Sequence, residues 1–320
     1  MSNPPNIPPI TEDGFWLPAQ ASTIAAETDH TWWVTYWMSI FFFFLVIVPM
    51  IYFAIVHKRK SETEKTSPID HSMKIEIAWT VLPTGLLLWL FALGVTGYAN
   101  SQVAPDNSYE IKVTAQMFSW SFQYPDGTVS GELTVPKGRP VKLVMSSQDV
   151  IHSFFVAEFR VKQDVVPGLY TTLWFEANKT METALQCTEY CGEKHSNMLT
   201  KVTVLEPKDF QTWIDNGGTM EKMPPVEWGA KLYASRGCAN CHSVDGTRVQ
   251  GPTFKGFWTK GSEKLTDGST VKIDENYVRQ SILEPATQIV EGYPNVMSAY
   301  AGQLRDEDID ALIAWLKTQN

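Results

Sequence analysis

Two thiols, an imidazole and a thioether crowd into one twelve-residue stretch, Cys187-Thr-Glu-Tyr-Cys191-Gly-Glu-Lys-His195-Ser-Asn-Met198. Thiolate and thioether are soft ligands and imidazole suits copper, so the set favours copper over magnesium or calcium, with zinc the main rival. The same spacing would also form one stripe of a helix, where it would read as core, and two cysteines can close a disulfide. Gly192 within the run and the β-rich exit Leu199–Leu205 argue instead for a loop between two strands. A zinc hydrolase needs an open coordination position and a nearby general base, whereas here soft ligands fill the site. Two thiolates sharing charge with two metals would spread a gained or lost electron, which suits electron transfer.

A second segment, Ser147-Gln-Asp-Val-Ile-His152-Ser-Phe154, lies upstream at the end of an expected strand. Taken together, Ser-x-Asp-Val-x-His-Ser-Phe and Cys-x-Glu-x-Cys-Gly-x-x-His-x-x-Met resemble the CuA domain of cytochrome c oxidase subunit II. That resemblance implies a binuclear copper A centre bridged by both cysteines. Its ligands would be His152, Cys187, Cys191, His195 and Met198, with the backbone carbonyl of Glu189. It implies further that the Glu189 side chain serves a magnesium or manganese site shared with the catalytic subunit.

The other two cysteines fall in Cys238-Ala-Asn-Cys241-His242. Thiols three apart sit on neighbouring turns of a helix, where they can form thioethers to haem vinyl groups while the next imidazole takes the iron. A redox dithiol has no need of His242, and a four-ligand zinc site lacks its second pair. His/Met ligation raises the potential of such a haem into the range of an electron carrier. Met297, in Gly292-Tyr-Pro-Asn-Val-Met297-Ser298, is therefore the expected sixth ligand, ahead of Met220 and Met223. Similar cytochromes c often place proline after this methionine, where Ser298 stands here. Gly251-Pro252 resembles the family's turn against the proximal histidine. With all four cysteines in ligand pairs, none remains for a structural disulfide.

These sites need elements to hold them. Trp32 to Val56 is almost wholly apolar and long enough to cross the ~30 Å hydrocarbon layer. Trp32, Trp33, Tyr36 and Trp37 form an aromatic belt at its start, and Pro49 predicts a kink. A second span runs from Ile77 to Tyr98. His57-Lys-Arg-Lys60 between them places the loop in the cytoplasm and both chain ends outside. Residues 1–30, Pro-rich and polar with Glu12 and Asp13, read as a disordered or surface-hugging tail without a signal-peptide core. Glu76, at the boundary of the second span, reads plainly as an interfacial charge. The stretch Glu76-Ile-Ala-Trp-Thr-Val-Leu-Pro83 resembles the second helix of the oxidase subunit, which implies a proton-pathway entrance at Glu76.

From Tyr109 to Leu205, short β-type runs alternate with turns such as Pro125-Asp-Gly127, the pattern of a β-sandwich or barrel, and the resemblance implies a cupredoxin fold. Ala115-Gln-Met-Phe-Ser-Trp-Ser-Phe-Gln-Tyr124 resembles the family's aromatic stretch, where an exposed tryptophan accepts electrons. Trp120 aligns with that electron-entrance region. Phe118 stands where the accepting tryptophan is expected, and reads as core. Lys208–Ile214 predicts a short helix, followed by a linker through Gly217-Gly218 and Pro224-Pro225. Leu304 to Lys317 predicts a closing amphipathic helix with Leu304, Ile309, Leu312, Ile313 and Leu316 inward.

The expected fold is therefore multi-domain. It comprises a tail (1–30), a two-helix transmembrane hairpin (31–100), a cupredoxin-like β-sandwich (101–206), a linker (207–228) and an all-α cytochrome c domain (229–320). The formal net charge of −9 argues against nucleic acid and suits either a basic redox partner or a plain solvated surface. The resemblance implies subunit II of a respiratory haem-copper oxidase in a bacterial inner membrane, with its copper and haem c domains on the periplasmic side. Its partners would be the membrane subunit I that reduces oxygen and an upstream donor, either a soluble cytochrome c or a quinol-oxidising complex in a supercomplex. The chain itself has neither the helix count nor the histidine set for a haem-copper centre. A nitrous oxide reductase would need a further multi-copper centre that the six histidines do not supply. A membrane-anchored copper carrier would not need covalent haem.

Overall fold

The computed structural model describes residues 15–65, 67–218 and 223–319. Glu12, Asp13 and Met220 lie outside them. The chain divides into two compact units, one of residues 25–103 and the other of the remainder.

In the first unit, α1 (Thr23–Val56) and α2 (Met73–Gln102) are 34 and 30 residues long, with mean hydropathies of 2.7 and 1.8 over their most apolar windows. At about 1.5 Å per residue each exceeds the thickness of a bilayer core. Trp32 stacks on Tyr36 with ring centroids 5.2 Å apart, and Trp33 on Trp37 at 6.4 Å, so the belt is one face of the helix. α1 starts eight residues before the expected hairpin boundary, because Thr23–His30 carries no proline or glycine to stop it.

The second unit contains a sandwich of two five-stranded sheets. Its strands are β1 (Tyr109–Gln116), β2 (Ser119–Gln123), β3 (Val129–Ser130), β4 (Leu133–Pro136), β5 (Pro140–Ser147), β6 (His152–Val156), β7 (Val161–Val165), β8 (Thr171–Glu176), β9 (Met181–Cys187) and β10 (Leu199–Leu205). The first sheet has the order β3-β2-β1-β5-β8 and the second β4-β10-β9-β6-β7. Strand β5 shows the alternation that builds the core, with Val141, Leu143 and Met145 buried between half-exposed neighbours.

Two expected boundaries move. Residues 18–22 of the tail are stitched to the sandwich: Asn178 donates to the Ala21 carbonyl, Ser22 Oγ to the Phe159 carbonyl, and Ala21 is fully buried in the core. The helix expected within the linker, α3 (Pro207–Asp215), buries Phe210 and Trp213 in the same core against Tyr124. Its amphipathic faces make it part of the sandwich domain rather than a connector.

The last domain comprises α4 (Pro225–Ser235), α5 (Cys238–Cys241), α6 (Phe257–Lys260), a ribbon of β11 (Ser262–Lys264) and β12 (Thr270–Lys272), α7 (Glu275–Leu283) and α8 (Asp306–Leu316). The ribbon departs from the all-α expectation, its turn made by Asp267-Gly268. α4 starts ahead of the expected boundary, and Trp228 Nε1 donates to the buried Asp308 of α8 over 2.9 Å. Leu304, Ile309, Leu312, Ile313 and Leu316 are all buried, as their spacing predicts.

Candidate copper and haem centres

Strand pairing brings the first set of ligands together. Phe154 of β6 pairs with Cys187 at the end of β9, and Leu199 of β10 with Gln186, so His152, Cys187 and Met198 share one end of one sheet. Residues 188–198 form the loop that the sequence predicts, closed by a hydrogen bond from Cys187 N–H to the Met198 carbonyl. The two sulfurs lie 3.9 Å apart as free thiols. His152 Nδ1 is 3.9 Å from Cys187 Sγ, and His195 Nδ1 is 3.5 Å from Cys191 Sγ. Met198 Sδ is 3.7 Å from Cys191 Sγ, and the Glu189 carbonyl oxygen is 3.3 Å from Cys187 Sγ. All six expected donors therefore converge. Two sulfurs on one tetrahedral metal with bonds of about 2.3 Å would stand about 3.8 Å apart, so the thiol pair fits shared metal without rearrangement.

His152 is fully buried, and its Nε2–H donates to Asp149 Oδ1 over 2.8 Å. That bond fixes the tautomer and turns Nδ1 toward the sulfurs, as for a metal-ligating histidine held by a carboxylate. Asp149 also accepts from the N–H groups of Met117 (2.6 Å) and Val150 (2.7 Å). Burial opposes ionisation of Asp149, but His152 and these N–H groups outweigh it and lower its pKa. Burial likewise disfavours the His152 cation, but Asp149 and Cys187 together outweigh it and raise that pKa. Burial opposes the Cys187 thiolate, but His152 and backbone N–H groups bring its pKa down to about 7, while burial and the neighbouring Cys187 push Cys191 up, so a second thiolate beside the first is disfavoured until a cation lies between them.

The second set lines a cavity of about 170 Å³ in the helical domain. Cys238, Cys241, His242 and Met297 are all on its lining. His242 Nδ1–H donates to the Pro252 carbonyl over 2.8 Å, which leaves Nε2 for a metal, and its ring stacks on Phe254 at 4.5 Å. Gly251 is required there, because a Cβ would come within 2.6 Å of the His242 ring. Two thiols, a cavity-facing imidazole and a thioether fit a covalently held haem.

Three family descriptions match successive parts of the chain. They are the transmembrane domain of cytochrome c oxidase subunit II over residues 11–95, its periplasmic domain over 123–205, and cytochrome c over 226–320. Cytochrome c oxidase subunit 2 of Alkalihalophilus pseudofirmus is 32% identical over 289 residues, which covers 85% of this chain and 82% of that protein. The chain belongs to the cytochrome c oxidase subunit 2 family. Subunit 2 of Bacillus subtilis is 27% identical, covering 84% and 82% of the two chains. The crystal structure of the periplasmic domain of subunit II from Bradyrhizobium japonicum is 31% identical, over 36% of this chain and 96% of that one, with a TM-score of 0.34.

As an oxidase subunit 2, the chain is one component of a haem-copper oxidase complex, anchored by its apolar helices and carrying a C-terminal cytochrome c domain. Trp120, which the resemblance aligns with the electron-entrance region, is 2% exposed. Its ring meets His152 edge-on at 6.2 Å and Phe154 at 5.9 Å, so it walls the inner side of the expected copper ligands. Phe118 is core, as read, at 8% exposure. Glu76 occupies the first turn of α2, where its carboxylate accepts from Ser72 N–H over 3.3 Å. No role for Asp149, three residues before the expected ligand His152, was read from the sequence, nor for Met117 or Phe254, whereas Pro252 stands against His242 as its resemblance implied.

Proposed function

We propose that the chain relays electrons from an upstream donor, through a haem c on Cys238, Cys241, His242 and Met297, to a binuclear copper A centre, and on to subunit I. There oxygen is reduced to water with proton translocation. The reading is carried by one observation: both ligand sets lie in one compact unit, and Met117 of the β-domain lines the haem-domain cavity. Haem and copper supply one-electron redox chemistry when bound.

The chain's own residues do the rest. Asp149 holds the His152 ring in the ligating tautomer, and Pro252 does the same for His242. Trp120 and Phe154 keep water from the inner side of the copper ligands. The Glu189 side chain is exposed while its carbonyl points to Cys187, so its carboxylate is available to a magnesium or manganese ion shared with subunit I. Tethering replaces a diffusional encounter between haem and copper domains by a fixed one. Glu76, at the start of α2, serves as the mouth of a proton pathway. The cluster Lys58-Arg59-Lys60 favours a cytoplasmic loop, which puts the copper and haem domains on the periplasmic face of the bacterial inner membrane. The donor is a soluble cytochrome c or a quinol-oxidising complex.

Rapid mixing of the assembled oxidase with a reductant of haem c tests the order. Haem reduction should precede copper reduction, and haem that stays reduced beside oxidised copper would contradict it.

A further inference from the structure

The haem cavity and the copper ligands are connected by a chain of groups that the relay itself does not specify. Strands β1 and β5 run parallel with Ala115 opposite Ser147, so the residues just past their ends, Met117 and Asp149, are neighbours. Met117 lines the haem cavity, and its N–H donates to Asp149 Oδ2 over 2.6 Å. The other oxygen of the same carboxylate receives His152 Nε2–H at 2.8 Å, and the far side of that ring faces Cys187 Sγ.

Resting on the relay proposed above, we propose that Met117, Asp149 and His152 are the route by which an electron crosses from the haem domain to the copper site, with Asp149 as its positioning residue. One electron leaves the haem iron and one is taken up by the copper pair. No bond is made or broken, and the N–H and imidazole protons stay where they are.

The competing route is a packing contact. A Cβ on Gly192, beside Cys191, would lie 3.2 Å from the Phe118 ring and 3.5 Å from Met117 Sδ. Tunnelling falls off more steeply across a van der Waals gap than along bonds and short hydrogen bonds, so the path with links of 2.6 and 2.8 Å is favoured. The domain interface holds this path in register. Asn240 Nδ2 donates to the Phe118 carbonyl at 3.2 Å, Gln303 Nε2 to Gln116 at 3.2 Å and to Gln148 at 3.3 Å, and the fully buried Arg236 to Ser121 Oγ at 3.0 Å.

The test is flash photoreduction of haem c by a ruthenium photoreductant in the purified oxidase complex. Haem re-oxidation and copper reduction are followed optically, with the copper midpoint potential and metal content measured for each variant. Asp149→Ala should slow the transfer about tenfold or more, the range in which outer-shell partners of metal ligands act. The slowing should persist when compared at equal driving force, while Phe118→Leu keeps the rate. An Asp149→Ala complex that is fully metal-loaded and transfers at the parental rate overturns the route. So does a slowing wholly accounted for by a shifted copper potential. If haem fails to reduce copper in the parental complex, the relay has failed and not its path.

Discussion

Asn240 donates a hydrogen bond to the carbonyl of Phe118 over 3.2 Å, so the Cys238–Cys241 helix is seated on the aromatic stretch of the β-domain. The position is covered from within the chain.

That seating depends on a close backbone approach. A Cβ at Gly131 would stand 2.3 Å from the Ser235 carbonyl oxygen, in rigid backbone that cannot give. Gly131→Ala should therefore destabilise the docked haem domain by about 1–3 kcal/mol, the usual cost of overpacking. Thermal unfolding of the complex followed by haem c absorbance should show a lower midpoint; an unchanged midpoint would mean the interface is looser than this packing.

The haem domain is pinned by a buried carboxylate. Asp308 is fully buried and accepts from Trp228 Nε1 and from Arg305 at 3.0 and 3.1 Å. Burial works against its charge, but Arg305 and Trp228 prevail and its pKa is lowered. A carboxylate with a lowered folded pKa stabilises above its unfolded value of about 3.9 and loses that contribution as pH falls through the folded one. Asp308→Asn should cost about 1–3 kcal/mol at neutral pH and flatten the acid limb of haem-domain stability below about pH 4. Unfolding midpoints measured from pH 7 down to about pH 2 provide the check.

Met297 lies on the wall of the same cavity as His242. Replacing it with a harder nitrogen ligand, Met297→His, should leave the thioether attachment through Cys238 and Cys241 intact. The haem c midpoint should fall by on the order of 100 mV, within the about 0.8 V that axial ligation spans. A potentiometric titration showing an unmoved midpoint would assign the sixth position elsewhere.

Glu76 stands at the start of α2 with its carboxylate bonded to the Ser72 N–H. If Glu76 carries protons as proposed, Glu76→Ala should lower steady-state oxygen reduction several-fold, and Glu76→Asp should restore part of it. Oxygen electrode rates across a range of pH decide this; rates equal to the parental enzyme at every pH would leave Glu76 as a helix-capping charge.

The loop carrying Cys187 to Met198 and the short helix carrying Cys238 to Cys241 were legible because their sequence signals are local, each within a few residues of chain. Hydrophobic runs gave away both membrane helices for the same reason. What stayed hidden depends on contacts between distant segments. Residues 18–22 read as tail because nothing local shows that Ala21 fills the sandwich core. Trp120 reads as exposed or buried with equal ease until β6 is placed beside it. Met117 carries no signal at all of its place in the haem cavity, which is set by the docking of a domain more than a hundred residues downstream. Asp149 was in plain view, and its role emerged only when the parallel pairing of β1 with β5 set it next to Met117.

In the proposed relay, Cys187 and Cys191 hold two copper ions, in electronic contact with a haem on the same polypeptide. Electron paramagnetic resonance of the oxidase purified from membranes, paired with metal and haem c counts per chain, tests it most directly. The expected result is the signal of a mixed-valence copper pair, abolished by Cys191→Ser while one covalent haem per chain remains. Zinc in the site, or the signal of a single copper ion, would contradict the account.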